Sequence, residues 1–130
     1  MTLLDADRTT WVAVCRLDRL VTGRGQAALV GGRAVALFRF DDDSVRAIDN
    51  VDPCSGASVL SRGLVGHTLE DGRAVRYVAS PLRKQRFDLD SGRCLDAASG
   101  VDTWATQVVD GVVEVTSQPS RWSNGPETAP

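Results

Sequence analysis

The sequence predicts an all-β domain, an antiparallel sandwich or small barrel made of hairpins and two long loops. Three observations lead there. The apolar runs are short and rich in Val, Leu and aromatic residues, the composition of a pleated, half-buried surface. Gly-Gly, Asp-Gly and Asp-Ser-Gly steps separate those runs at short intervals, and such steps supply the positive-φ positions of hairpin turns. No stretch carries the period of a long amphipathic helix, and no repeat of 20 to 50 residues is present.

Taken in order, residues 1–10 are polar and aperiodic, and are expected to form a flexible lead. WVAVCRL from Trp11 to Leu17 reads as a strand, and the glycine-containing segment to Gly25 as a loop. Gln26 to Phe40 is two apolar runs hinged on Gly31-Gly32, a hairpin. Asp41, Asp42, Asp43 and Ser44 form the next turn, and Val45 to Asp49 resumes as a strand. Val51 to Gly66 is loop-rich. His67 to Ser80 is a second hairpin around Asp71-Gly72. Gln85 to Asp96 is a strand and a turn at Asp90-Ser91-Gly92, and Thr103 to Ser117 is a last hairpin with Asp110-Gly111 at its tip. Three units result: the lead (1–10), one domain (11–117), and a tail (118–130) whose proline-rich, apolar-poor sequence predicts disorder. Trp122 is the exception in that tail, and reads as an unanchored aromatic.

Composition narrows the function. The 130 residues are 42% hydrophobic and 25% charged with a net charge of -2, and the pI is near 5.3. A chain this length builds one core, and its charge provides no footprint for nucleic acid. No apolar run approaches the roughly 20 residues of a membrane span, and no signal peptide is recognisable at the N-terminus. Three scattered cysteines suit a reducing compartment, so the chain is expected to be cytoplasmic.

Two loops within Asp49 to Cys94 carry a recognisable pattern. The first, DNVDPCSGA, ends in Gly56-Ala57; the second, SPLRKQRFDLDSG, begins at Ser80-Pro81 and runs into Phe87-Asp88 and Gly92. Their order resembles the two cluster loops of a Rieske domain, where Cys-x-His precedes x-Gly-Ala and Cys-Pro-x-His-Gly precedes a Phe-Asp strand. A Rieske centre needs two cysteines on one iron and two histidines on the other. Here Asp52 and Ser80 stand at the cysteine places, Cys54 and Arg83 at the histidine places, and Lys84 at the following glycine. With one histidine in the chain, His67, the cluster cannot be ligated. Scaffold residues kept without ligands make the chain similar to the small subunit of assimilatory NAD(P)H-dependent nitrite reductase, a Rieske-like protein without a cluster, from about Trp11 to Thr116. The resemblance implies a Rieske-like fold, no cofactor in this chain, and a large-subunit partner holding flavin, an iron-sulfur cluster and the sirohaem on which nitrite becomes ammonia. The small chain would dock to and support that partner.

Other chemistry finds little support. Asp41 to Asp43 lack the glycine and downstream glutamate of a calcium loop, and Asp-rich turns commonly bond their own backbone. Cys15, Cys54, Cys94 and His67 contain no close pair of the kind zinc sites use. Cys54 and Cys94 lie near the two loops and could approach one another, although thiols are the cytosolic expectation. No base accompanies a nucleophile, and no nucleotide loop is present. No catalytic, cofactor-binding or metal residue is therefore assigned. The candidate partner interface is Asp52, Cys54, Ser80, Arg83, Lys84 and Arg86, with Arg83, Lys84 and Arg86 concentrating positive charge on an acidic protein. A free-standing binding module and a redox-active Rieske ferredoxin are the alternatives.

Overall fold

The computed structural model describes residues 10–123. Ten strands occur in the order β1 (Trp11–Arg16), β2 (Gly25–Val30), β3 (Arg33–Arg39), β4 (Val45–Asp49), β5 (Leu64–Glu70), β6 (Arg73–Ala79), β7 (Arg86–Asp88), β8 (Thr103–Trp104), β9 (Thr106–Val109) and β10 (Val112–Thr116). Two single turns of 3-10 helix, Leu17–Arg19 and Leu60–Arg62, complete the regular structure. The strands form three antiparallel sheets with orders β1-β10-β9, β2-β3-β4-β8 and β5-β6-β7.

The three expected hairpins form around Gly31-Gly32, Asp71-Gly72 and Asp110-Gly111. In each, both central residues have positive φ, the mirror-image turn whose twist matches that of its strands. The Asp-rich turn is held by its own side chains. Asp42 Oδ1 accepts from the Ser44 hydroxyl at 2.6 Å and the Ser44 amide at 3.0 Å, and Arg39 pairs with Asp43 at 2.7 Å.

β3 organises the packing. Val35, Ala36, Leu37 and Phe38 are all fully buried, although a strand with one wet face would alternate. Ala36 and Phe38 join Ile48 of β4, Val78 of β6, Phe87 of β7, Leu60, Leu89, Cys94 and Val101 in one cluster. Val35 and Leu37 join Val45 and Ala47 of β4, Trp104, and Val113 and Val115 of β10 in another. The β2-β3-β4-β8 sheet thus lies between the other two, with a core on each face.

Three readings of the sequence change. Thr103 and Trp104 do not belong to the last hairpin: Ala47 pairs with Trp104 and Ile48 with Thr103, so the chain changes sheet at Ala105. Burial of Trp104 against Val35 and Leu37 decides this, a contact outside the local pattern. β5 begins at Leu64, three residues earlier than the hairpin pattern implies. The expected disordered tail does not begin at residue 118. Ser120 bridges Thr103 through bonds of 3.0 and 2.6 Å, the Trp122 amide donates to Asp102 Oδ1 at 2.7 Å, and the Trp122 ring fills the space that a β-carbon at Gly100 would need. Residues 1–9 of the lead and 124–130 of the tail lie outside the described residues.

Because Phe38 is fully buried in the cluster between β3, β6 and β7, Phe38→Ala should destabilise the fold by about 3–5 kcal/mol. Urea unfolding followed by near-ultraviolet circular dichroism would show this as a lower midpoint with an unchanged slope.

Candidate functional site

The two loops meet. The first leaves β4 and is anchored by the buried Asn50, whose Nδ2 donates to Ser58 Oγ at 2.8 Å and whose Oδ1 accepts the Ser61 amide at 2.7 Å. Asp52, fully buried, folds the loop back on itself: its amide donates to Ala57 O at 2.8 Å, its carbonyl accepts Gly56 N at 2.7 Å, and its Oδ1 accepts Cys54 N at 2.8 Å. Gly56 at φ 77° permits the reversal.

The second loop closes between β6 and β7 by the same means. The Ser80 amide donates to Gln85 O at 2.8 Å and its carbonyl accepts Lys84 N at 2.9 Å, with Lys84 in the left-handed region at φ 64°. Between the loops the Ser80 hydroxyl donates to Asp52 Oδ2 at 2.6 Å. Both side chains are buried. The bond is short and shielded from water, and it holds the loops together at the two cysteine places of the Rieske pattern.

What remains outside is a tip. Pro53, Cys54, Ser55 and Gly56 of the first loop and Pro81, Leu82, Arg83 and Lys84 of the second are exposed. Arg86 is not part of it. Its guanidinium is bound by both oxygens of Asp96, at 3.1 and 2.8 Å, its amide donates to the same carboxylate at 2.9 Å, and it lies 5.5 Å from the Tyr77 ring centroid. The expected three-charge patch is therefore Arg83 and Lys84. Sequence reasoning missed Asp96 as this partner and Asn50 as the anchor. Ten residues separate Arg86 from Asp96, and only the β7 turn brings them together.

The cysteines are free thiols: Cys54 exposed, Cys15 half-buried and Cys94 buried. Desolvation, then the charges of Asp52 and Cys94, raise the Cys54 pKa, with Arg83 opposing them. A thiol held protonated is neither a ready nucleophile nor a ready metal ligand. His67 is exposed on β5, and among the described residues no three His, Cys, Asp or Glu side chains are placed to hold a metal ion.

The Rieske-like [2Fe-2S] domain family matches residues 10–116. The nitrite reductase (NADH) small subunit of Salmonella typhimurium is 44% identical over 107 residues, 81% of this chain and 95% of that protein. A solved structure, the putative NADH-dependent nitrite reductase small subunit from Mycobacterium tuberculosis, superposes with a TM-score of 0.75 at 46% identity, covering 83% of this chain and 95% of its own. The chain belongs to the nitrite reductase small subunits of the Rieske-like family. A further relative is the nitrite reductase [NAD(P)H] large subunit of Klebsiella oxytoca, 44% identical over 109 residues that span 83% of this chain and 11% of that polypeptide.

The family description includes a [2Fe-2S] cluster, and the residues of this family member do not fit one. Of the four ligand places only Cys54 holds a cluster-ligating residue type. Arg83 offers donors and no lone pair. Asp52 and Ser80 bond each other directly at 2.6 Å, which closes the gap that two ligands of one iron must leave between them.

Ser80→Ala leaves a buried carboxylate oxygen unsatisfied and should cost about 1–3 kcal/mol. Equilibrium unfolding would measure it, and amide exchange would show faster opening at Cys54 and Lys84 than in the sheets. For Arg86 and Asp96 the sign follows from the lowered carboxyl pKa. The side-chain hydrogen bond from Arg86 holds the Asp96 carboxyl below its ordinary 3.8, so the pair stabilises the fold above that value and less as pH falls through the folded pKa. Asp96→Asn should therefore be less stable than the parent at pH 7, with the difference shrinking toward pH 3 in thermal melts.

Proposed function

We propose that the chain is the accessory subunit of an NAD(P)H-dependent nitrite reductase that reduces nitrite to ammonia, and that it docks to and supports the cofactor-bearing large subunit. One observation carries this reading: in the Klebsiella oxytoca large subunit, a segment 44% identical to this chain belongs to the same polypeptide. A domain that is covalently part of one enzyme and separate in another is most simply held in place by non-covalent docking in the second.

The loop geometry supports a role without a redox centre. The six-electron reduction then falls to groups in the large subunit, where flavin, an iron-sulfur cluster and sirohaem are expected. This chain supplies a rigid surface. Its two loops are locked together by Ser80 and Asp52, so the exposed tip is pre-organised, and an interface made from ordered groups loses less entropy on association. Arg83 and Lys84 steer that tip toward acidic surface. Free cysteines suit the cytoplasm as the compartment.

Co-expression with the large subunit should give a complex with higher nitrite-dependent NAD(P)H oxidation than the large subunit alone. Arg83→Glu/Lys84→Glu should weaken that association at least 10-fold, while Arg86→Gln should affect folding stability more than association. Co-elution unchanged by the double variant removes the tip from the interface. Failure to associate at all favours a free-standing binding module, and a visible iron-sulfur absorbance in the purified chain favours the ferredoxin.

A further inference from the structure

Of four surface depressions of about 300–400 Å³ among the described residues, one is lined by cations and no carboxylate. The other three are mixed. They set Asp41 and Asp42 against Arg76 and His67, Asp90 against Arg46, and Asp88 and Asp90 against Arg73 and Arg93. The fourth, of about 400 Å³, holds Arg24 and Arg62 with Ser61, Leu64, Val65 and three glycines.

Main-chain bonds hold both of its sides. On one, Gly23 N donates to Arg39 O at 3.0 Å and Arg24 N to Val21 O at 3.1 Å, a tight turn that Gly23 permits at φ 80°. On the other, the buried Leu60 donates its amide to Asn50 O at 2.9 Å, Ser61 N donates to Asn50 Oδ1 at 2.7 Å, and Gly63 N donates to Leu60 O at 3.0 Å. The sides touch at Gly25, where a β-carbon would fall 2.3 Å from Ser61 O. Arg24 and Arg62, each next in sequence to one of these contact residues, therefore line the depression from a joined frame.

The donors in it are free. Arg33, Arg39, Arg46 and Arg86 are each bound to an aspartate, whereas Arg24 and Arg62 are exposed and have no hydrogen-bond, ion-pair or ring partner among the described residues. The Ser61 hydroxyl has none either. The adjoining depression shares only Gly23 and Val65 with this one. Its Asp41 and Asp42 stand with Arg76, which lies 3.9 Å over the Phe40 ring.

We propose that this depression binds a phosphate group, with Arg24, Arg62 and the Ser61 hydroxyl as its donors. The planar fork of a guanidinium matches the spacing of oxyanion oxygens. One fork satisfies both oxygens of a carboxylate, whereas two forks and a hydroxyl supply a group with three acceptor oxygens. The depression is within the roughly 300–1,000 Å³ of small-molecule sites. Leu64, 79% exposed, and Val65 give it an apolar wall beyond the cations, room for the organic part of a phosphomonoester. The site shares no residue with the tip and does not rest on the subunit reading.

Titration of the isotope-labelled chain at low ionic strength, followed by amide chemical shifts, tests this with inorganic phosphate, adenosine monophosphate and acetate as probes. The Arg24, Gly25, Ser61, Arg62 and Gly63 amides should shift together and saturate with the two phosphates. Arg24→Gln/Arg62→Gln should weaken that binding about 10-fold or more, as the loss of charge-assisted hydrogen bonds predicts, with the resonances of the sheets unchanged. Arg73→Gln/Arg93→Gln removes the same charge from a depression that also holds Asp88 and Asp90, and should leave the affinity unchanged. Tighter binding of the nucleotide assigns the site to a phosphomonoester, and equal affinities assign it to free phosphate. Acetate that binds as tightly as phosphate overturns the phosphate assignment. Shifts that never saturate, that survive Arg24→Gln/Arg62→Gln, or that both double variants weaken alike mean an adventitious ion only and overturn the site.

Discussion

Burial of β3 on both faces is the constraint from which the remaining structure follows. A strand whose four central residues are all excluded from water needs a sheet on each side, and each must present apolar residues at the matching period. β10 does so with Val113 and Val115 on one side, and β6 and β7 with Val78 and Phe87 on the other. Each covering sheet is small, with three strands, and such units are marginal alone. The two cores therefore depend on one another through β3 and β4. This explains how a domain with little helix maintains two long loops at one end.

At that end, a hydrogen bond stands where the family description would place a cluster. Cluster ligation would join the two loops through iron; Ser80 and Asp52 join them directly. The loops keep their reversals because the backbone bonds around Asp52 and Ser80 are made within each loop. The family's cysteine and histidine are replaced at each of these places, but loop geometry is kept. Arg86 is placed differently from its neighbours in the loop: it braces the turn after β7 through Asp96, while Arg83 and Lys84 stay exposed.

Most of the fold was legible because its signals are local. Gly31-Gly32, Asp71-Gly72 and Asp110-Gly111 mark hairpins whose turn geometry depends on two residues each, and all three formed. β3 was legible only as a hairpin arm, because its burial on both faces comes from the sheets packed against it. The loop strings were legible as a family pattern, whereas the direct contact of Asp52 with Ser80 became visible only in the fold. Less legible were the change of sheet at Ala105 and the docking of Trp122 over Gly100. Both depend on which surface happens to lie nearby, and Trp122 in a polar, proline-rich segment gives no periodic signal at all.

The sequence by itself determined the hairpins, the single all-β domain, and the absence of the four cluster ligands, because each is a matter of residue identity at short spacing. Tertiary structure alone decided which charges are free and which edges are open. Arg86 and Arg83 look alike three residues apart, yet one meets Asp96 after a turn and the other meets solvent. β1 and β5 both read as strands, yet β1 shifts register against β10 between Ala13 and Cys15 while β5 pairs with β6 without interruption. Such differences arise from contacts between segments distant in the chain, whose energies depend on burial and distance rather than on residue type.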